Sequence, residues 1–269
     1  MSLLARLRHA SLPAAVALVF VFLYLPAAVI VLFSFDSSAV SSWPPSGFTL
    51  DWYQRAFDDQ VLVAGLQNSL TVAVVSTTLA LLIGVPAGIG FDRFDYPGKV
   101  AFQRLLVLPF LMPGVISGIA LLTMFLDLGV QLSLGTVIVA HTSMLIAVFV
   151  IQVGVALAGW DRSAELAAQD LGASELRTFA HVLLPNLRGA ILGACLLGVT
   201  VSLDEVARTF FLTGQESTLP MVIWGELHRQ ITPKANAMGT VVLLGSLLAL
   251  VVWSRIAARS TASHRNQRR

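Results

Sequence analysis

Six long stretches of this sequence contain no Asp, Glu, Lys or Arg, and their lengths constrain the fold more than any other feature of the chain. They run Leu12 to Phe35, Val61 to Phe91, Leu105 to Leu126, Leu128 to Trp160, Gly189 to Leu203 and Ala235 to Ser254. A helix rising 1.5 Å per residue needs about 20 apolar residues to cross a hydrocarbon core of roughly 30 Å. Five stretches meet that length outright. The remaining one has 15 residues before Asp204 and Glu205, and reaches it only by continuing through Val206, Ala207, Phe210 and Phe211. That helix is expected to carry charge inside the membrane. The expected fold is therefore an all-α membrane protein of six transmembrane helices, near 12–35, 63–90, 105–126, 134–157, 189–212 and 236–257. These make one transmembrane domain over 12–258, between an N-terminal segment, 1–11, and a basic tail, 259–269. The first stretch reads as a retained span: it is long, has no small-residue cleavage site and precedes five more.

Composition agrees, with 56% hydrophobic and 12% charged residues and a mean hydropathy of +0.80, so a lipid bilayer is the expected solvent. The net charge is only +2, which gives no reason to expect a nucleic-acid partner. Placement of the basic residues is more informative. With both termini in the cytoplasm, Arg6, Arg8, Arg93, Lys99, Arg104, Arg162, Arg177, Arg188, Arg255, Arg259, Arg265, Arg268 and Arg269 lie inside. Only four of the 17, Arg55, Arg208, Arg229 and Lys234, fall on the other side, which favours an N-in, C-in orientation. The single cysteine, Cys195, sits in an apolar run and reads as packing.

Two connecting segments are longer than a link requires. The outer one, Asp36 to Gln60, carries Trp43, Pro44, Pro45, Trp52 and Tyr53, aromatics suited to interface anchoring or to contact with a soluble partner. The inner one, 159–188, has Ala164, Ala167, Ala168 and Leu171 at helical spacing, then Gly172, with Pro185 before the next span. It reads as a short helix, a turn and a second helix outside the membrane.

Polar residues at membrane depth are few. Asp204 and Glu205 are each unfavourable there by roughly 2.5–3.5 kcal/mol on insertion scales, so they are expected to be paired or functional. Arg208 lies four residues after Asp204 and can neutralise it within the helix. Two acids and one base still leave one negative charge, suited to a transient site for an amine-bearing solute. Asn68, Ser69 and Ser202 can add hydrogen bonds to that pathway or simply tie helices together. His141 and Gln152 read as interhelical hydrogen bonders, and Gly84, Gly88 and Gly90 as close helix packing. No G-x-x-x-x-G-K-[ST] loop, H-E-x-x-H or G-x-S-x-G occurs. No nucleophile stands with a base and no metal ligands cluster at workable spacing, so neither a catalytic nor a metal site is expected. A channel would need a selectivity filter, and no motif points to one.

At the inner segment the sequence resembles the membrane subunits of binding-protein-dependent ABC importers of the type I fold. Their cytoplasmic loop carries Glu-Ala-Ala, then Gly, then Ile-x-Leu-Pro. Ala167, Ala168, Gly172, Val182, Leu184 and Pro185 occupy that pattern. The motif's glutamate position holds Leu166, with Glu165 one residue early, about 100° around a helix. Phe48-Thr49-Leu50, Trp52-Tyr53, Asn68-Ser69-Leu70, Leu108-Pro109, Pro113, Gly118, Ser202 to Val206, Phe211 to Gly214, Leu219-Pro220, Thr232-Pro233 and Asn236-Ala237 extend the resemblance toward the spermidine and putrescine permeases. It implies a type I permease fold and coupling to an ATPase through Glu165, Ala167, Ala168, Gly172, Leu184 and Pro185. It also implies two ATP-binding partner subunits holding ATP and Mg, a second and non-identical permease, and an extracytoplasmic substrate-binding protein. The implied cargo is a polyamine, with an opine or aminoethylphosphonate as alternatives.

Overall fold

The computed structural model describes residues 3–39, 43–228 and 233–266. Arg229, Thr232, Arg268 and Arg269 lie outside the described residues. The elements are helical: α1 (Leu3–Phe33), α2 (Asp51–Asp58), α3 (Gln60–Arg93), α4 (Lys99–Leu111), α5 (Gly114–Asp127), α6 (Leu134–Ala158), α7 (Ser163–Asp170), α8 (Glu175–Thr178), a π-helical turn (Phe179–Leu183), α9 (Leu184–Asp204), α10 (Ala207–Leu212), α11 (Leu219–Leu227) and α12 (Pro233–Asn266). Among the described residues the only β pairing is an isolated bridge between Asp36 and Phe48. Among the described residues, four helical runs are long and apolar enough to cross a membrane: Ala15–Phe33, Gln60–Arg93, Leu134–Ala158 and Glu175–Asp204. α4 and α5, bent by 106° at their break, pass the same test together and count as a fifth crossing if they form one broken span.

Two of the stretches read as single spans are thus interrupted. Met112 precedes Pro113, whose ring disfavours helical backbone in the residue before it. Met112 is accordingly extended (φ −73°, ψ 139°), and α4 stops at Leu111. At the second break Glu205 is extended (φ −77°, ψ 101°), so the helix expected to run on to residue 212 ends at Asp204 and resumes at Ala207. The missing length comes from the other end, because α8, the π-helical turn and α9 form one continuous helix over Glu175–Asp204. The sequence places Pro185 before the span. In the structure it lies within this run, just after the π-helical turn, where the Leu184 amide bonds back five residues to the Phe179 carbonyl. The wider turn makes room for a ring that would otherwise clash with the carbonyl of His181.

The chain divides into two compact units, Met1–Val63 with Ile223–Gly245, and Ala64–Val222 with Ser246–Arg269. In the first, the outer segment is organised around Asp36, which is fully buried. Its Oδ1 accepts from the amides of Ser38 (3.1 Å) and Ser46 (3.2 Å), and its carbonyl accepts from Trp52 Nε1 at 2.6 Å. Tyr53 OH lies 2.7 Å from Ser34 Oγ. Trp52 and Tyr53 therefore brace the segment, whereas Trp43 is exposed. Lys234 closes the same unit by pairing with Asp59 at 2.6 Å and Glu226 at 3.1 Å.

In the second unit α6 is central, with Leu145, Val148, Phe149 and Val153 buried against Ala80, Leu183, Leu187 and Ala194. Its N-terminus is closed by a capping box between Ser133 and Thr136. Close packing of α3 on α6 depends on two missing side chains. A Cβ at Gly84 would lie 2.6 Å from Phe149 Cβ and 2.9 Å from the Ile146 carbonyl, and one at Gly88 would lie 3.0 Å from Val153 Cβ. Small residues four apart are how helices approach in lipid, where no hydrophobic drive brings them together. Gly90 meets nothing within 4 Å and has no such role.

Candidate functional site

The two helix breaks meet at one buried cluster. Arg208, the second residue of α10, is only 4% exposed. Its Nη1 donates to Glu205 Oε2 at 2.5 Å, and its amide to Glu205 Oε1 at 3.0 Å. Nη2 donates to the carbonyls of Pro109 (2.8 Å) and Met112 (3.0 Å), acceptors that the end of α4 leaves without helical partners. Nη1 also lies 2.9 Å from Met144 Sδ on α6. A planar guanidinium reaches all of these at once, which an ammonium does not. Close approach of α5 makes the reach possible, since a Cβ at Gly114 would sit 2.8 Å from Ala207 Cβ and one at Gly118 2.8 Å from Phe211 Cδ2.

The partner of Arg208 is therefore Glu205 and not Asp204, a correction to the spacing argument. The i, i+4 rule presumes an unbroken helix, and the break at Glu205 removes that geometry. Asp204, the last residue of α9, is exposed and has no side-chain hydrogen bond or ion pair among the described residues. Of the two acids, Glu205 is the one paired with Arg208.

Directly behind the second break stands His141 on α6, buried and bonded on both ring nitrogens. Nδ1 lies 2.7 Å from Ser202 Oγ on α9, and Nε2 lies 3.0 Å from Thr209 Oγ1 on α10. The Thr209 hydroxyl donates to the Glu205 carbonyl at 2.7 Å, so its lone pair is open to Nε2–H, and Nδ1 is left to accept from Ser202. His141 thus joins the two sides of the break, the interhelical role its sequence position suggested. Ser202 is turned to His141, with Ser76 of α3 at 3.4 Å. Asn68 and Ser69 form a separate cluster, Asn68 Nδ2 donating to the Ser217 carbonyl (3.0 Å) and Ser69 Oγ accepting from the Leu219 amide (2.9 Å). These three residues tie elements together, and none is bonded to Asp204. The carbonyls of Pro109 and Met112 were missed in the sequence, although the Pro109/Pro113 pair was the available signal for freed acceptors at that depth.

The inner loop is the second candidate site. Asp161 starts α7: its Oδ1 accepts from the Ser163 amide (2.9 Å) and its Oδ2 from the Ser163 hydroxyl (2.8 Å), bonds that hold its carboxyl below the usual range. Gly172 ends the turn after α7 with φ +87°. Ala167 is exposed, Ala168 half-buried, and Leu184 and Pro185 lie exposed on the continuous helix. Apolar side chains stand out of the loop: Leu166 is 59% exposed, Leu171 90% and Leu176 76%. Glu165 is turned the other way. It accepts from Arg93 Nη2 at 2.6 and 2.9 Å and from Trp160 Nε1 at 2.7 Å.

A family model described as "Binding-protein-dependent transport system inner membrane component" matches residues 80–261. The chain is 31% identical over 243 residues to the spermidine/putrescine transport system permease protein PotC of Haemophilus influenzae, covering 90% of this chain and 93% of that one. It is 32% identical over 244 residues to the putrescine transport system permease protein PotI of Escherichia coli (strain K12), covering 87% and 86%. Among solved structures, a chain of a bacterial ABC transporter that imports the acidic polysaccharide alginate superposes with a TM-score of 0.70. That match has 14% identity and covers 96% of this chain and 98% of that one.

Proposed function

We propose that this chain, which belongs to the family of binding-protein-dependent transport system inner membrane components, lines the pathway of an ATP-driven importer of polyamines. It is the permease subunit of an ABC importer, a multi-pass protein of the inner membrane with the type I permease fold. The observation that carries the polyamine reading is similarity over nearly the whole length of two permeases named for spermidine and putrescine. Asp204 supports it from the residues themselves: an unpaired acid at a helix break, beside a Glu205 already neutralised by Arg208, suits a cationic amine. Asn68, Ser69 and Ser202 then serve the pathway by holding the helices around it.

On this reading α12 supplies the sixth span and both termini are cytoplasmic. A second, non-identical permease completes the pathway, and an extracytoplasmic binding protein delivers the solute. Two ATP-binding subunits, which hold ATP and Mg, dock on α7 and the Gly172 turn. The direct test is copurification with an ATP-binding subunit, followed by ATP-dependent uptake of spermidine, putrescine, an opine and 2-aminoethylphosphonate by the assembled transporter. Uptake of either non-polyamine in preference to both polyamines overturns the substrate assignment.

A charge-assisted hydrogen bond is worth about 1.5–3 kcal/mol, so Asp204→Asn is expected to slow polyamine uptake by about tenfold or more. Normal uptake by that variant makes the acid structural. Gly172→Val addresses coupling. A β-branched residue is strained at φ +87°, although a Cβ there meets nothing within 4 Å. The variant is expected to insert normally while hydrolysing ATP without moving solute, and full transport would count against a coupling role for the turn.

A further inference from the structure

The inner loop is fastened to the end of α3 by two crossed ion pairs. Arg93, the last residue of α3, donates to both oxygens of Glu165 on α7, at 2.6 and 2.9 Å. Its neighbour Asp92 accepts from Arg162 Nη2 at 2.7 Å through Oδ2, and the Asp92 carbonyl accepts from the same nitrogen at 3.3 Å. Arg93 Nε is also 3.6 Å from Asp92 Oδ2, so the four charges form one connected network. Trp160 Nε1, from the link between α6 and α7, adds a third hydrogen to Glu165 at 2.7 Å. The side chains of Arg93 and Glu165 are 20% and 13% exposed, shielded enough for the pair to exceed an ordinary surface salt bridge.

Geometry also accounts for the offset in the loop motif. A one-residue shift turns a helical side chain by about 100°. Leu166 occupies the outward direction and is exposed, while Glu165 points inward onto Arg93. The acid is committed to this chain's own α3, and the outward direction holds Leu166, with exposed Gln169 and Asp170 further along the same face. Motion of α7 must then reach α3 directly, in addition to any path through Gly172 and the helix beyond it.

We infer that the Arg93–Glu165 and Asp92–Arg162 pairs form a latch that makes α7 and α3 move as one body during transport, with Glu165 as a positioning residue for coupling. This rests on the permease reading above, and the test separates the two. ATP-dependent uptake by the unaltered transporter checks that reading. The latch is checked by the amount of solute moved per ATP hydrolysed, in proteoliposomes containing the assembled transporter. Glu165→Gln and Arg93→Gln are each expected to lower that ratio by at least about fivefold, the lower end of typical coupling energies. The double variant is expected to be no worse than either single one, because both remove the same bond. Exchanging the neighbours, Glu165→Leu with Leu166→Glu, keeps composition and loop length yet turns the acid outward, and it too is expected to uncouple. Trp160→Phe removes one hydrogen bond without the charges and is expected to give a smaller loss in the same direction, which keeps the test open should a charge variant fail to assemble. An unchanged ratio in Glu165→Gln or in the exchange variant overturns the latch. So does a double variant whose loss is the product of the single losses.

Discussion

Arg208→Met is expected to destabilise the inserted protein by about 3–5 kcal/mol, the usual consequence of removing one member of a buried ion pair. The side chain is enclosed, and its loss takes the donor from three acceptors: Glu205 Oε2, the Pro109 carbonyl and the Met112 carbonyl. Thermal unfolding of the detergent-solubilised protein measures the effect. Arg208→Lys is expected to lie between the two, since an ammonium can satisfy the carboxylate or the carbonyls but does not span both. Arg208→Met combined with Glu205→Gln should recover part of the loss, because no bare charge then remains. A double variant as unstable as the single one would assign the cluster's value to the two carbonyls, and a fully stable Arg208→Met would remove the cluster's structural role.

The second large effect concerns the contact of α3 with α6. Gly84→Val is expected to destabilise by about 3 kcal/mol or more, at or above the upper end of overpacking losses. The atoms in the way include the Ile146 carbonyl at 2.9 Å, part of a helix backbone with no rotamer to change. Gly90→Ala on the same helix provides the control. Its new Cβ meets nothing within 4 Å, and replacing glycine in a helix interior gains roughly 0.5–1 kcal/mol from backbone entropy. Opposite signs at two glycines six residues apart distinguish a packing requirement from a general intolerance of α3. Equal effects at both would dismiss the close approach.

Much of this molecule is legible in its hydropathy. Apolar length alone locates the long helices, and intramembrane acids are rare enough to draw attention to Asp204 and Glu205. What escapes such a reading is backbone continuity. A run of apolar residues has the same hydropathy straight or bent, so the 106° turn at Met112–Pro113 is invisible to it. The assignment of Arg208 to Asp204 failed for the same reason, because spacing along a helix has no meaning across an interruption. Pro185 marks the approach to the span in the sequence but does not show that a π-helical turn lets one helix run on through it. Aromatics carried a different ambiguity. Trp52 and Tyr53 look like interface anchors by composition, yet each finds a polar partner within its own segment. Such pairing depends on chain folding over 16 to 19 residues, which no local pattern encodes.

The uninterrupted helix from Glu175 to Asp204 makes a lever. Its 30 residues span about 45 Å at 1.5 Å per residue. One end adjoins the Gly172 turn and the other bears the unpaired acid. The π-helical turn carries the chain past Pro185 without ending the helix. A tilt of about 5° about either end swings the opposite end by about 4 Å, simple trigonometry on that length. For an arm that stays rigid, displacement at the loop end and displacement at Asp204 are tied to that one angle.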